Sequence, residues 1–264
     1  MARGRRVLRW ALVVIGVVVL LVVAAVGAMA SAFIGNAQAV DGTRLPGGAV
    51  LVRDGFANVY VLPAGAGKVA LIDCGMDAEG KAVTAALAKQ GLTPASVEAV
   101  FITHGHADHT GGCKAFPRAR LHALAAEVGL VEGTATVASP MTTVMRQPVR
   151  ANGLQVAEPP LTDGQTVQVG PLSVRVLAMP GHTPGSAAYL AAGVLYVGDA
   201  ANITTGGALR NTAWVFSTDP GQGARSLRTV SQRLQGEGMT PMIVAPSHSA
   251  PAPGATLTAF AAAQ

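Results

Sequence analysis

The sequence predicts an α+β domain of two sheets packed face to face with helices outside, preceded by one N-terminal transmembrane helix. A 23-residue run without charge, Ala11 to Phe33, stands at the front. Beyond it, each half of the chain reads as several short apolar strands followed by helix, strand, helix, the pattern of stacked sheets covered on their outer faces. Five of the six histidines fall at the ends of predicted strands, where loops gather functional groups.

Residues 1–10 form a basic, cytoplasmic leader with Arg3, Arg5, Arg6 and Arg9, all ahead of the first acidic residue, Asp41. With those four set aside, the 19 basic residues fall to 15 against 14 acidic ones, so four of the five net positive charges belong to the leader. The downstream domain is nearly neutral, and no nucleic-acid partner is expected. Residues 11–33 are long enough as a helix to cross the roughly 30 Å of a bilayer's hydrocarbon. The preceding arginines orient it with the N-terminus in the cytoplasm and everything beyond residue 40 on the other side. Ala28-Met29-Ala30 and Ala37-Gln38-Ala39 also fit a signal-peptidase site, so a secreted or periplasmic product is the alternative; a run this long favours a retained anchor.

Residues 34–48 are small, polar or Gly/Pro without periodicity, and read as a linker to a domain at 49–264. Strands follow at 49–52, 58–62 and 68–73, the last two joined by a Pro63–Gly67 hairpin loop. A helix is expected over 78–90, ended by Gly91, and an apolar strand over 97–103. Residues 131–160, with Met141 and Met145, read as a connection that either borders a pocket or only crosses the surface. Strands at 165–169, 172–178, 186–190 and 194–198 precede a helix at 223–235, a strand at 241–245 and a final helix near 254–263. The composition, half hydrophobic and 12% charged, excludes a disordered chain, and two cysteines exclude a disulfide framework. Cys74 and Cys113 could pair in an oxidising compartment or stay as buried thiols.

The chemistry concentrates in His104-Gly105-His106-Ala107-Asp108-His109, three imidazoles and a carboxylate at a strand end. These are ligand types for zinc and related ions, and a core would have to satisfy each ring and the charge separately. His182 in a Pro/Gly turn, Asp199 after a strand and His248 after another complete the pattern, while His122 reads as structural. No nucleophile elbow, P-loop, H-E-x-x-H or C-x-x-C is present.

HGHADH followed in order by GHTPGS, GD and SH resembles the metallo-β-lactamase-fold hydrolase superfamily over about residues 49 to 250. The resemblance implies a four-layer αβ/βα sandwich holding two Zn(2+) per chain, with Fe or Mn as substitutes. His104, His106 and His182 would bind the first metal, Asp108, His109 and His248 the second, and Asp199 would bridge them. Asp73 would orient ligands from behind, its alternative being a turn residue. The implied reaction is attack by a metal-bridging hydroxide on a carbonyl (thioester, lactone, ester or lactam) or a phosphoester, with Asp108 as the catalytic group that orients the hydroxide. Ser186 stands where many glyoxalase-II-like members have another His. In the loop 200–220, Trp214 or Phe216 would wall a small-molecule substrate with Arg210 nearby, or would simply pack the loop onto the core. A mononuclear iron persulfide dioxygenase and a non-catalytic metal-binding scaffold of the same fold are the alternatives.

Overall fold

A computed structural model describes residues 2–145 and 152–263. The chain divides into two compact units, Met1–Ile34 and Gly35–Gln264. The first is a single helix, α1 (Ala2–Ser31), whose stretch Arg9–Ser31 is long and apolar enough to cross a membrane or to serve as a signal sequence.

The second unit carries two principal sheets. The first runs in spatial order β1 (Val50–Asp54), β2 (Ala57–Pro63), β3 (Val69–Ile72), β4 (Val97–Phe101) and β5 (Arg120–His122). β1, β2 and β3 pair antiparallel, whereas β3–β4 and β4–β5 are parallel. The second contains β6 (Thr166–Val169), β7 (Leu172–Ala178), β8 (Ala187–Ala191) and β9 (Val194–Gly198), then β12 (Ile243–Pro246) and β13 (Ala252–Pro253); only β9–β12 is parallel. A small hairpin, β10 (Ala201–Ile203) with β11 (Leu209–Asn211), follows β9.

Alternation along each strand explains the layering. In β2, Tyr60 and Leu62 join the core between the sheets with Tyr189, Tyr196, Val174 and Val176, while Val59 and Val61 face outward onto Val83 and Leu87 of α2 (Lys81–Ala88). In β9, Val194 and Tyr196 point inward while Leu195 and Val197 face α6 (Pro220–Gly236) and α7 (Ala255–Ala262). Strands covered on both faces need apolar residues on both, hence their near-continuous hydrophobicity. α6 starts at Asp219, whose side chain accepts from Gln222 N at 2.8 Å, and buries Leu227, Val230 and Leu234 at helical spacing. The observed order is the four-layer αβ/βα sandwich expected, completed by the short helices α3 (Ala107–Thr110), α4 (Val128–Val131) and α5 (Pro140–Met145).

Residues 35–48 do not behave as the linker expected at 34–48. Asn36, Ala39 and Leu45 are buried, Ala37 N donates to Ile203 O at 2.8 Å, and Leu51 N donates to Thr43 O at 2.9 Å. The segment's small, polar residues hide its role because backbone hydrogen bonds, rather than an apolar face, hold it to the sheets. The folded unit therefore begins ahead of residue 49. Strands β5, β10 and β11 were also unpredicted, being three residues each and too short for alternation to show.

Candidate metal centre

The ligand loops emerge where the two sheets meet along one edge. Tyr189 hydroxyl donates to Ile102 O and Tyr60 hydroxyl to Pro246 O, each at 2.6 Å, so buried tyrosines cross-link the sheets beneath the loops that start at Thr103 and Ser247. Asn58 Nδ2 donates to Pro246 O and Ser249 O at 3.0 and 2.9 Å. These bonds fix the loops on rigid strand ends, as convergent ligands require.

Three imidazole nitrogens meet at one point. His182 Nε2 lies 3.1 Å from His104 Nε2 and 3.0 Å from His106 Nδ1, and His104 Nε2 is 3.0 Å from His106 Nδ1. The far side of His182 is held by Thr212 and Ser217 hydroxyls, both 3.0 Å from Nδ1, and His104 Nδ1 is 3.2 Å from Thr103 Oγ1. Beside them, His109 Nε2 faces Asp108 Oδ2 at 3.4 Å and Asp199 Oδ1 at 3.3 Å. His248 Nε2 faces Asp108 Oδ2 at 3.2 Å and Asp199 Oδ2 at 3.1 Å, while its Nδ1 is 3.0 Å from Phe56 O. All seven expected ligands thus converge, in three overlapping groups: His104–His106–His182, His104–His109–Asp199 and Asp108–His109–His248.

Asp73 sits behind this arrangement with a left-handed backbone, φ 59°. Its Oδ1 accepts from Thr103 N at 2.7 Å, and its Oδ2 accepts from Thr103 Oγ1 and lies 2.8 Å from His109 Nδ1. A buried carboxylate on the far nitrogen fixes the ring's tautomer and aims Nε2 at the other ligands. Cys74, next in sequence, is disulfide-bonded to Cys113, tying the Asp73 turn to the segment after α3.

Electrostatics divide the cluster. Burial drives His104, His106 and His182 toward the neutral form, His182 down to about 3. For His109 and His248 burial acts the same way, but the carboxylates outweigh it: Asp108, Asp199 and Asp73 raise His109 well above its ordinary value, and Asp199 and Asp108 push His248 up to about 10. Burial raises Asp108 and Asp199 as well, yet His109 and His248 hold both well below the usual carboxylate range. His109 Nε2 and Asp199 Oδ1, though 3.3 Å apart, complete no hydrogen bond with each other and are buried without a hydrogen-bond partner among the described residues. Converging neutral imidazoles and orphaned polar atoms are costly unless a cation satisfies them, and this nitrogen and oxygen set fits divalent ions of the zinc class.

A sequence profile of the metallo-beta-lactamase superfamily matches residues 52–248. The chain belongs to that superfamily. Among its relatives in it, the chain is 34% identical over 134 residues to a hydroxyacylglutathione hydrolase of Shewanella oneidensis, covering 50% of this chain and 43% of that protein. It is 35% identical over 147 residues to a hydroxyacylglutathione hydrolase of Anaeromyxobacter dehalogenans, covering 56% and 47%. A ribonuclease of Thermus thermophilus is 34% identical over 164 residues, covering 57% and 36%. The chain thus spans less than half the length of these curated relatives. A solved metallo-beta-lactamase family protein, also of Thermus thermophilus, aligns with TM-score 0.57 at 26% identity over 83% of this chain and 79% of that one. A B3 metallo-beta-lactamase with an active-site glutamic acid shares the superfamily fold, with TM-score 0.64 at 18% identity over 88% and 89%.

The remaining expected residues lie apart from the cluster's centre. Arg210 Nη2 donates to Asn36 Oδ1 at 2.6 Å, and Asn36 Nδ2 donates to His248 O at 3.2 Å, so Arg210 braces the His248 loop. Trp214 is 55% exposed in the turn Trp214–Phe216, between the two hydroxyl residues that hold His182, and α5 lies against this turn. The stretch 146–151 of the Met-containing connection lies outside the described residues. His122 is buried and stacked on Phe101 with ring centroids 5.2 Å apart, which supports its structural reading. Sequence reasoning missed Phe56, whose exposed ring is 5.6 Å from that of His248, and Met76, also exposed. It missed Glu127 as well. None of the three lies in a recognisable motif, and only the fold reveals their neighbours.

Proposed function

We propose that this protein is a membrane-anchored hydrolase that holds two zinc ions and cleaves a carbonyl compound (thioester, lactone, ester or lactam) or a phosphoester. One observation carries the reading. The Asp199 carboxylate faces both halves of the cluster, with Oδ2 3.5 Å from His182 Nε2 and 3.1 Å from His248 Nε2, and Oδ1 3.3 Å from His109 Nε2. A carboxylate so shared is suited to link two cation pockets, His104–His106–His182 on one side and Asp108–His109–His248 on the other. A pair of divalent ions held there would supply Lewis acidity, lowering the pKa of water toward about 7 and polarising a substrate oxygen.

The chain's own residues do the rest. Asp108, whose side chain is 22% exposed, accepts a hydrogen bond from the attacking water and orients it toward the substrate. Asp73 and the hydroxyls of Thr212 and Ser217 keep His109 and His182 aimed inward. The turn Trp214–Phe216, set between the hydroxyl residues that hold His182, walls one side of the substrate, and Phe56, whose ring is 5.6 Å from that of His248, offers an apolar lip beside that histidine. Relatives named hydroxyacylglutathione hydrolase favour an acyl–sulfur bond as the first substrate class to test. The near balance of charge beyond the leader favours a small molecule over RNA despite the ribonuclease relative. For the leader, a cut after Ala39 would fall inside the folded unit whereas one after Ala30 would not, so retention rests on the length of the apolar run, and the Cys74–Cys113 bond supports a domain facing an oxidising compartment beyond the membrane.

The test is metal analysis and turnover on one preparation of the full chain in detergent. About two zinc per chain, cleavage of at least one ester, thioester, lactone, lactam or phosphodiester, and a loss of about 100-fold or more in kcat/KM for Asp199→Asn, worth about 3 kcal/mol, are expected. One iron per chain with oxygen uptake would overturn this in favour of a dioxygenase, and metal-loaded protein inert toward the whole panel would make it a scaffold.

A further inference from the structure

Glu127 is a charged residue that the proposed chemistry does not use, buried to 1% exposure beside the ligand loops. It ends the turn Ala125–Glu127 between β5 and α4. Its Oε1 accepts from Gly105 N at 2.8 Å, and its Oε2 accepts from Gly185 N and Thr183 Oγ1, both at 2.9 Å. Gly105 separates His104 from His106, and Thr183 follows His182 directly. One carboxylate therefore spans from the loop after β4 in the first sheet to the loop before β8 in the second.

The surroundings are built to let it do so. A Cβ on Gly105 would stand 2.7 Å from the Leu130 carbonyl carbon and Val131 N, and one on Gly185 would stand 2.4 Å from Glu127 N and 2.6 Å from Glu127 Oε2. Both backbones approach where only glycine fits. Ser186 Oγ, 2.7 Å from Thr183 Oγ1 and accepting from Thr183 N at 3.0 Å, holds the Thr183 hydroxyl in place for the carboxylate. Burying a carboxylate is unfavourable, and an apolar side chain would fill the space at lower cost. What the carboxylate adds is a fixed geometry, because three donors converge on two oxygens.

We propose that Glu127 is a positioning residue of the metal centre, its carboxylate clamping the His104–His106 loop to the His182 loop so that the three imidazoles are preorganised for one cation. This rests on the reading above that these histidines hold a metal. Glu127 touches neither substrate nor cation and acts through the loops. An amide in its place keeps the size but turns an NH2 group toward a donor, so the clamp opens on one side.

The experiment is zinc titration of the metal-depleted full chain against a chromophoric chelator, paired with the visible spectrum of the cobalt(II)-loaded protein. Glu127→Gln and Glu127→Ala should each lower zinc affinity at one site by about 10- to 100-fold and change the cobalt spectrum, leaving the other site near its wild-type affinity. Thr183→Val, which removes a single donor, should act in the same direction by a smaller factor and stands in if the Glu127 variants fail to fold. Val83→Ala, a core truncation in α2 outside the ligand loops, supplies a comparison of lowered thermal stability and should leave zinc affinity unchanged. Wild-type affinity and spectrum in the Glu127 and Thr183 variants, or an equal loss of zinc in Val83→Ala, would overturn the proposal. A wild-type chain that takes up no zinc would instead sink the function proposed above, and this inference with it.

Discussion

At the scale of single residues, the cluster pairs groups whose ordinary charges are suppressed with groups whose charges are enforced. Glu127 gives the clearest measurable consequence. Burial, the largest influence on its carboxyl and opposed by Gly105 N, Thr183 Oγ1 and Gly185 N, pushes it up to about 6 from an ordinary 4.5. A raised folded value means that the native state binds the proton more tightly than the unfolded chain. The stabilisation from this group is fully present below pH 4.5 and is lost as pH climbs through about 6. Urea unfolding of metal-free wild type and Glu127→Gln at about pH 4.5, 5.5 and 7 should show the wild type losing on the order of 2 kcal/mol relative to the variant over that window; a flat or rising difference would contradict the assignment. The seven residues that cluster are legible in the sequence because four stand within six residues, in a hexapeptide whose polar groups a core cannot satisfy separately. Glu127, Thr212 and Ser217 are not, since the partners that matter are backbone amides or side chains 22 to 58 positions away.

At the scale of elements, strands buried on both faces announced themselves as apolar runs, and β7 and β9 match the expected 172–178 and 194–198. The helices expected at 223–235 and 254–263 lie within three residues of α6 and α7, because Pro and Gly bracket the first and precede the second. The hairpin β10–β11 escaped notice because three-residue strands carry no period, and its pairing follows from the fold around it. The Cys74–Cys113 link joins the Asp73 turn to the segment after α3, both beside the histidine and carboxylate cluster, across a separation of 39 residues. Closing a loop of that length removes unfolded-state freedom worth about 3–4 kcal/mol in the chain-entropy model. Cys113→Ser should therefore lower the unfolding free energy by up to that amount in the oxidised protein, and reducing agent should bring the wild type down to the variant. Equal stability of the two without reductant would show that the bond contributes nothing.

At the scale of the whole molecule, the cation pockets draw on both sheets: His104, His106, Asp108 and His109 follow the first, whereas His182, Asp199 and His248 belong to the second. Cations held there bind the folded state and not the unfolded one, so they stabilise by mass action. Stripping them with a chelator should lower Tm, and zinc returned at about a hundredfold over its Kd should restore about 2.7 kcal/mol for each site filled. A Tm indifferent to zinc would mean that the pockets hold none. The sandwich as a whole was readable from the repeated order of strands and helices, whereas its true beginning was not, because Asn36 to Leu45 look like spacer until their backbone partners are seen.

That beginning matters at the bench. A shortened version made for assay, if started at Asp41 as the composition invites, would discard Asn36 and Ala37, and with them the donor to the His248 carbonyl and the acceptor for Ala250 N at 2.8 Å. The cut product would arrive with its last ligand loop loosened, and a weak activity measured on it would describe the cut. Starting ahead of Gly35 keeps those supports while leaving the apolar helix behind.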